Sequence, residues 1–270
     1  MRAILLSLAL SLAVPVAAQA DPARIDRLVE VTRLDEILGV MEQEGLAYAD
    51  TLERDLFPGK GGAGWDLEAA QIHDRDASER QMREAFAAGL AGPELDPVLD
   101  FFASPLGQKI TGAELSAREA MLDDAVDEAA REAIADLDPD RERLLRRFIS
   151  VNDLIESNVV GGLNSNYAFY RGLVDGGAFS YDLGESEMLA EVWSQEPELR
   201  SDTEAWLLSY LGLAYSVLSD EELARYVEVS ESDAGAAFNR ALFGAFDQLF
   251  NDISYRLGLA AARYMSGEDA

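Results

Sequence analysis

The sequence predicts an all-α protein: two related helical repeats packed as one compact multi-helix unit, linked by a long helix near 105–137. Three observations predict it. Apolar residues recur at spacings of three and four almost throughout, with no alternating stretch of useful length. They make up 49% of the chain, too many for disorder and enough for a substantial core. Two blocks of sequence also recur, in the same order, in the second half.

Residues 1–20 stand outside the fold. Met1-Arg2 is a short basic start, ILLSLALSLAVPV an apolar run, and Ala18-Gln19-Ala20 a small-x-small cleavage site. The apolar run ends at Gln19, short of the roughly 20 residues a membrane anchor needs. The expectation is a signal peptide cut after Ala20, a periplasmic product and no membrane insertion after cleavage. The first repeat is then 21–138 and the second 139–270.

Asp21 and Pro22 form a cap and first-turn pair for the opening helix, which carries Ile25, Leu28 and Val29 on one face. Thr32, with Asp35 three residues on, reads as a capping box for a second helix. That helix holds Leu34, Ile37, Leu38 and Met41, runs on through Leu46, Leu52 and Leu56, and breaks at FPGKGGAGW. Helices resume over 66–90 and 96–103, with Gly89, Gly92 and Pro93 as punctuation. Ser104 is a good N-cap, and Pro105 fits a first turn, where its missing N–H costs nothing. From Leu106 through Ile110, Ala117 and Met121 to Leu137 an apolar stripe predicts a helix over 105–137, with Gly112 the place for a kink. At ~1.5 Å per residue it is about 50 Å long, enough to cross the molecule and tie its halves together.

The second half repeats the first. RLVEVTRLDEI at 27–37 aligns with RFISVNDLIES at 147–157, offset 120, placing Thr32 on Asn152. ELDPVLDFFASPLGQKI at 94–110 aligns with ELARYVEVSESDAGAAF at 222–238, offset 128, placing Ser104 on Ser232 and Gly107 on Gly235. An insertion of eight residues between the blocks accounts for the change of offset. Ser219 with Glu222 makes a capping box before the second of these turns. YAFYRGLVDGGAFSYDLGES at 167–186 reads as a helix end and a loop; AWLLSYLGLAYSVL at 205–218 reads as a buried helix too short to span a bilayer.

FFASPLGQKI at 101–110 fits the signature F-[FY]-x-S-P-x-G-[QK]-K at Phe101, Phe102, Ser104, Pro105, Gly107, Gln108 and Lys109. Together with LVEVTRLDEIL at 28–38, it makes the chain resemble the domain of unknown function 2059 family. The second block keeps only Ser232 and Gly235, with Asp233 in place of the proline and Val229-Ser230 in place of the aromatics, as a divergent tandem copy would. The resemblance implies an exported, mostly helical bacterial protein, and it supplies no reaction. The signature residues have structural work of their own. Ser104 caps; the adjacent Phe101 and Phe102 lie about 100° apart, so at least one enters the core, where burial contributes roughly 1.5–3 kcal/mol. Gly107 admits a close neighbour.

Composition removes several chemistries. There is no cysteine, hence no thiol catalysis or disulfide, and the one histidine, His73, rules out zinc sites built on two or three histidines. Flanked by charge in QIHDRD, His73 reads as exposed. Gly-Lys in FPGKGGAGW lacks the strand–helix setting of a phosphate loop. Asp136, Asp138 and Asp140 begin like a calcium loop, but Arg141 and Arg147 stand where glycine and glutamate belong. No metal, cofactor or catalytic residue is expected. Without residues 1–20 the chain has 21 basic and 51 acidic residues, a formal charge of −30, which disfavours nucleic acid and anionic lipid. It suits weak divalent-cation loading or a basic partner. Phe243, Phe246 and Phe250 share a helical face, forming either a repeat core or a groove for a partner helix or apolar ligand. The function expected is that of a non-catalytic binding or interaction protein of the cell envelope. The alternative is a hydrolase using Ser104, with Lys109 or His73 as base, or a carboxylate cluster; Asp123, Asp124, Asp127 and Glu128, along one helical face, read as a solvated surface.

Overall fold

Short side-chain caps punctuate this chain, and they set where about half of its helices begin. The computed structural model describes residues 21–90, 92–179 and 183–267, so the expected signal peptide lies outside the described residues. The first half contains α1 (Pro22–Val31), α2 (Leu34–Leu56), α3 (Gly62–Ile72), α4 (Arg75–Gly89), α5 (Leu95–Ala103), α6 (Pro105–Ala120) and α7 (Asp124–Ala133). The second contains α8 (Pro139–Val151), α9 (Leu154–Asp175), α10 (Glu185–Ser194), α11 (Glu196–Ala214), α12 (Asp220–Ser230) and α13 (Asp233–Ser266). No strand occurs among the described residues. Asp21 caps α1 by accepting from the Ala23 N–H at 3.1 Å, and Ser219 with Glu222 completes a capping box on α12.

Two joints differ from the sequence reading. Thr32 does not cap α2. It closes α1, donating its hydroxyl to the Leu28 carbonyl at 2.7 Å, and Arg33 then turns the chain in a left-handed conformation at φ 54°. Asn152 closes α8 in the same way, donating to the Phe148 carbonyl at 2.9 Å, and Asp153 follows at φ 51°. The geometry favours this use: a side chain that bonds back four residues satisfies a carbonyl the ending helix has left open.

The helix expected over 105–137 is also not one rod. It stops at Ala120 and restarts as α7, because the Asp123 carboxylate accepts from the Ala125 N–H at 2.9 Å and opens a new N-terminus. Gly112 lies inside α6 and marks no break. The rod that crosses the molecule is α13, with 34 residues and about 51 Å of length at 1.5 Å per residue. It packs on α9 and α12 of its own half and on α2, α3, α4 and α5 of the other. The segment 62–90 likewise divides at His73-Asp74, where the Asp74 carboxylate caps α4.

One cluster of buried residues runs through both halves, from Ile25, Leu28 and Trp65 to Tyr215, Leu223 and Leu257. The tightest joint is α9 on α13. A Cβ at Gly172 would clash with the Tyr255 carbonyl oxygen, and one at Gly258 with that of Phe169, so the two backbones touch directly. Gly172→Ala should therefore destabilise the protein by about 1–3 kcal/mol in urea unfolding. Gly161→Ala, in the same helix but meeting nothing within 4 Å, should stabilise it by up to about 1 kcal/mol.

Candidate functional site

The signature serine forms a corner. Ser104 Oγ accepts from the Gly107 N–H at 3.1 Å and donates to the Phe101 carbonyl at 2.6 Å, which uses both of the hydroxyl's capacities on backbone. Ser232 repeats this geometry with the Gly235 N–H at 3.1 Å and the Val229 carbonyl at 2.6 Å. A Cβ at Gly107 or Gly235 would strike the end of the preceding helix, so each serine corner needs a glycine three residues on.

The remaining signature residues fasten this corner to its surroundings. Gln108 Nε2 donates to the Val31 carbonyl at 2.8 Å and the Phe102 carbonyl at 2.7 Å. Lys109 Nζ meets Glu222 Oε2 at 2.6 Å, linking α6 to the cap of α12 rather than to Ser104. Phe102 is buried and Phe101 half-buried; Phe101 stacks on Tyr226 at a centroid distance of 5.6 Å, and Phe102 meets it edge-on at 6.4 Å.

Because the corner fixes the direction of α6, it decides what that helix presents to the interior. Thr111, Glu114 and Arg118 lie one turn apart in succession and face a cavity of about 540 Å³ between the two halves. Its walls are mostly apolar and aromatic, including Phe148, Trp206, Tyr210, Tyr215, Tyr226, Phe238 and Phe246. Tyr215 donates to Glu114 Oε1 at 2.6 Å, Tyr210 donates to the Glu114 carbonyl at 3.0 Å, and the Tyr226 hydroxyl bonds the same carboxyl. Glu114 is half-buried and is one of the residues that line the cavity.

Burial pushes the Glu114 carboxyl up from 4.5 to about 7, while the bonds from Tyr215 and Tyr226 pull the other way. Burial and the carboxylate together hold the phenols of Tyr215 and Tyr226 well above their ordinary range. Arg118, also in the wall, is held by Glu44 through contacts of 3.1 Å and 2.6 Å. Thr111 is one of the residues of the cavity wall, and its hydroxyl is buried without a hydrogen-bond partner.

The wall positions correspond between the halves. Thr32, Leu34, Ile37 and Met41 line the cavity, and so do Asn152, Leu154, Ser157 and Gly161, each 120 residues on. Val98, Phe102, Thr111, Glu114 and Arg118 line it together with Tyr226, Ser230, Asn239, Leu242 and Phe246, each 128 residues on. The chemistry is not symmetric: where α6 presents Glu114 and Arg118, α13 presents Leu242 and Phe246.

His73 is not exposed. It is 8% exposed, packs its ring over Gly45 of α2, and lines a second cavity of about 260 Å³ with Tyr48 and Ser78. Its charged neighbours are engaged elsewhere, Asp74 as the cap of α4 and Arg75 with Asp35 at 3.0 Å, so the imidazole is free to turn inward. Burial, with Arg256 nearby, lowers its pKa to about 4, so the ring is neutral at physiological pH. Ser104 lines neither cavity.

Asp138 caps α8 through the N–H groups of Asp140 and Arg141, and among the described residues no group of three or more His, Cys, Asp or Glu is placed to hold a metal ion. No helix among them is long and apolar enough to cross a membrane. Phe243, Phe246 and Phe250 all line the larger cavity. Glu114 escaped the sequence reading. Its signal was an acidic residue four after Ile110 and three before Ala117, on the shoulder of the apolar stripe.

Fold and cavity define an all-helical protein built around an internal chamber with one buried acid. Residues 77–136, which include the signature at 101–110, match the DUF2059 family model, described as an uncharacterized protein conserved in bacteria. No curated protein and no solved structure matches the chain.

The raised carboxyl has a measurable consequence. A group that binds its proton more tightly when folded stabilises the fold fully below about 4.5, and that contribution is lost as pH rises through about 7. Glu114→Gln does not titrate. Its stability relative to the unaltered protein should therefore improve by roughly 3 kcal/mol between pH 4.5 and pH 8, read from paired urea titrations.

Proposed function

We propose that the chain is an exported, non-catalytic binding protein of the cell envelope that holds an apolar ligand in the chamber between its halves. The observation that carries this reading is the chamber itself. Its size of about 540 Å³ falls in the range of small-molecule sites, and its walls are aromatic and aliphatic with a few convergent polar groups. Export is supported by the basic, apolar and small-x-small succession at 1–20. The hydrolase reading draws less support: the Ser104 hydroxyl is committed to two backbone partners, Lys109 pairs with Glu222, and neutral His73 belongs to another cavity.

The two halves are best read as tandem copies, 21–138 and 139–270. Support comes from the paired left-handed residues Arg33 and Asp153, the paired serine corners, and the correspondence of wall positions at constant offsets. On this reading the chamber sits where two like units meet, and divergence of one copy made its two ends chemically different.

An uncharged apolar fluorophore such as Nile red should bind saturably at one per chain, with an emission rise on transfer from water. Gly161→Phe places a side chain into the chamber from a position where nothing stands within 4 Å. It should abolish the signal with helicity intact, whereas Ser104→Ala should keep it; absence of saturable binding would refute the reading. Expressed in a Gram-negative host, the full chain should yield a periplasmic product whose N-terminal residue is Asp21, read by N-terminal sequencing.

A further inference from the structure

The polar end of the chamber holds a carboxyl bonded by phenols rather than by a basic side chain. Three charged side chains line the cavity: Glu114, Arg118 and Asp247. Arg118 is already matched by Glu44, with contacts of 3.1 Å and 2.6 Å. Asp247 accepts from Asn164 at 2.9 Å and from Asn251 at 3.2 Å. Glu114 has only phenols, with Tyr215 donating at 2.6 Å and Tyr226 bonding the same group. Donors of this kind favour the ionised carboxylate, and burial alone opposes it. A cation at this end would remove that opposition. One turn before Glu114, the Thr111 hydroxyl is buried in the same wall without a hydrogen-bond partner.

We propose that the ligand is a hydrophobic amine, whose ammonium group pairs with Glu114 and donates to Thr111 while its apolar body extends toward the α13 wall. This deepens the binding reading above and rests on it. The rings of Tyr215, Tyr226 and Phe148 meet edge-on or tilted at centroid distances of 4.8–6.0 Å, and electron-rich rings attract an ammonium group. Toward α13 the wall is hydrocarbon, with Leu242 and Phe246 at the positions equivalent to Glu114 and Arg118, and that suits an alkyl or aryl body. An anionic amphiphile would bring like charge against Glu114, and an alcohol would leave the carboxylate without a counter-charge. The chain's formal charge of −29 draws cations toward the molecule.

The groups facing the Glu114 side chain are Tyr210 from α11, Tyr215 from the turn after it, Tyr226 from α12, and Arg118 with its partner Glu44 from α2. Burial raises the Glu114 carboxyl to about 7, so ammonium binding below that pH must displace its proton. The dissociation constant should rise about tenfold from pH 8 to pH 6.

The test is calorimetry on the full chain with n-octylamine, n-octanol and octanoate at pH 8, repeated with octylamine at pH 6. Octylamine should bind at one site at least tenfold more tightly than octanol, and octanoate more weakly than either. Glu114→Gln should bring octylamine down to the level of octanol, and Gly161→Phe should abolish both. If octanol binds as well as octylamine and Gly161→Phe blocks it, the amine assignment is overturned while the chamber reading stands. If no probe binds, both fall together. Octylamine heats that survive in both variants, as loose adsorption to an acidic surface would give, also overturn the assignment. Should Glu114→Gln not fold, an octylamine affinity that stays constant between pH 8 and pH 6 has the same force.

Discussion

A serine hydroxyl that gives its proton to one backbone carbonyl and accepts from one backbone N–H sets the direction of the helix that follows it. At Ser104 this fixes α6 against the end of α5, with Gly107 leaving room for the preceding carbonyls. The same contact at Ser232 aims α13. Everything in the interior depends on those two directions. A corner turned by even part of a helical turn would rotate Thr111, Glu114 and Arg118 out of the wall, since successive residues step by about 100°. Gln108 and Lys109 hold the first corner from outside, on the end of α1 and the cap of α12. The Lys109–Glu222 pair is partly exposed and contributes little energy; its worth is in register.

Within that frame the chamber carries an electrostatic asymmetry. Corresponding wall positions supply a carboxyl and a guanidinium on one side, leucine and phenylalanine on the other. The guanidinium is neutralised in place by Glu44, so one buried acid dominates the polar end. Phenols around it lower the cost of its charge without removing it. With its carboxyl raised to about 7, such a site is partly protonated near neutrality, so pairing it with a cation there would depend on pH.

Much of the fold was legible in the sequence because caps and periodicity are local. Ser104, Ser219 and Asp21 announce helix starts through chemistry that involves only neighbours a few residues away. Thr32 misled because a β-hydroxyl serves a helix end as readily as a beginning, and the left-handed turn at Arg33 leaves no mark in residue type. The helix over 105–137 failed at Asp123 for a related reason: the apolar stripe continues across the break, and only the cap reports it. Its expected role, spanning both halves, belongs to α13. His73 and Glu114 were beyond local reading. Whether a polar residue beside an apolar stripe faces water or a chamber depends on which helices cover it, and that is set by contacts a hundred residues away, such as Tyr215 on Glu114.

The continuity of α13 limits how this molecule moves. A rod of 34 residues lies against α9 and α12 on one side and against α2, α4 and α5 on the other, and it is locked to α9 where glycine backbones meet. The halves cannot swing apart about a flexible strap in the manner of a clamshell, because no strap connects them that α13 does not also brace. The cavity between them is partly open to solvent, so exchange with its interior needs no parting of the halves. A ligand would then come and go through a standing mouth on a fixed scaffold.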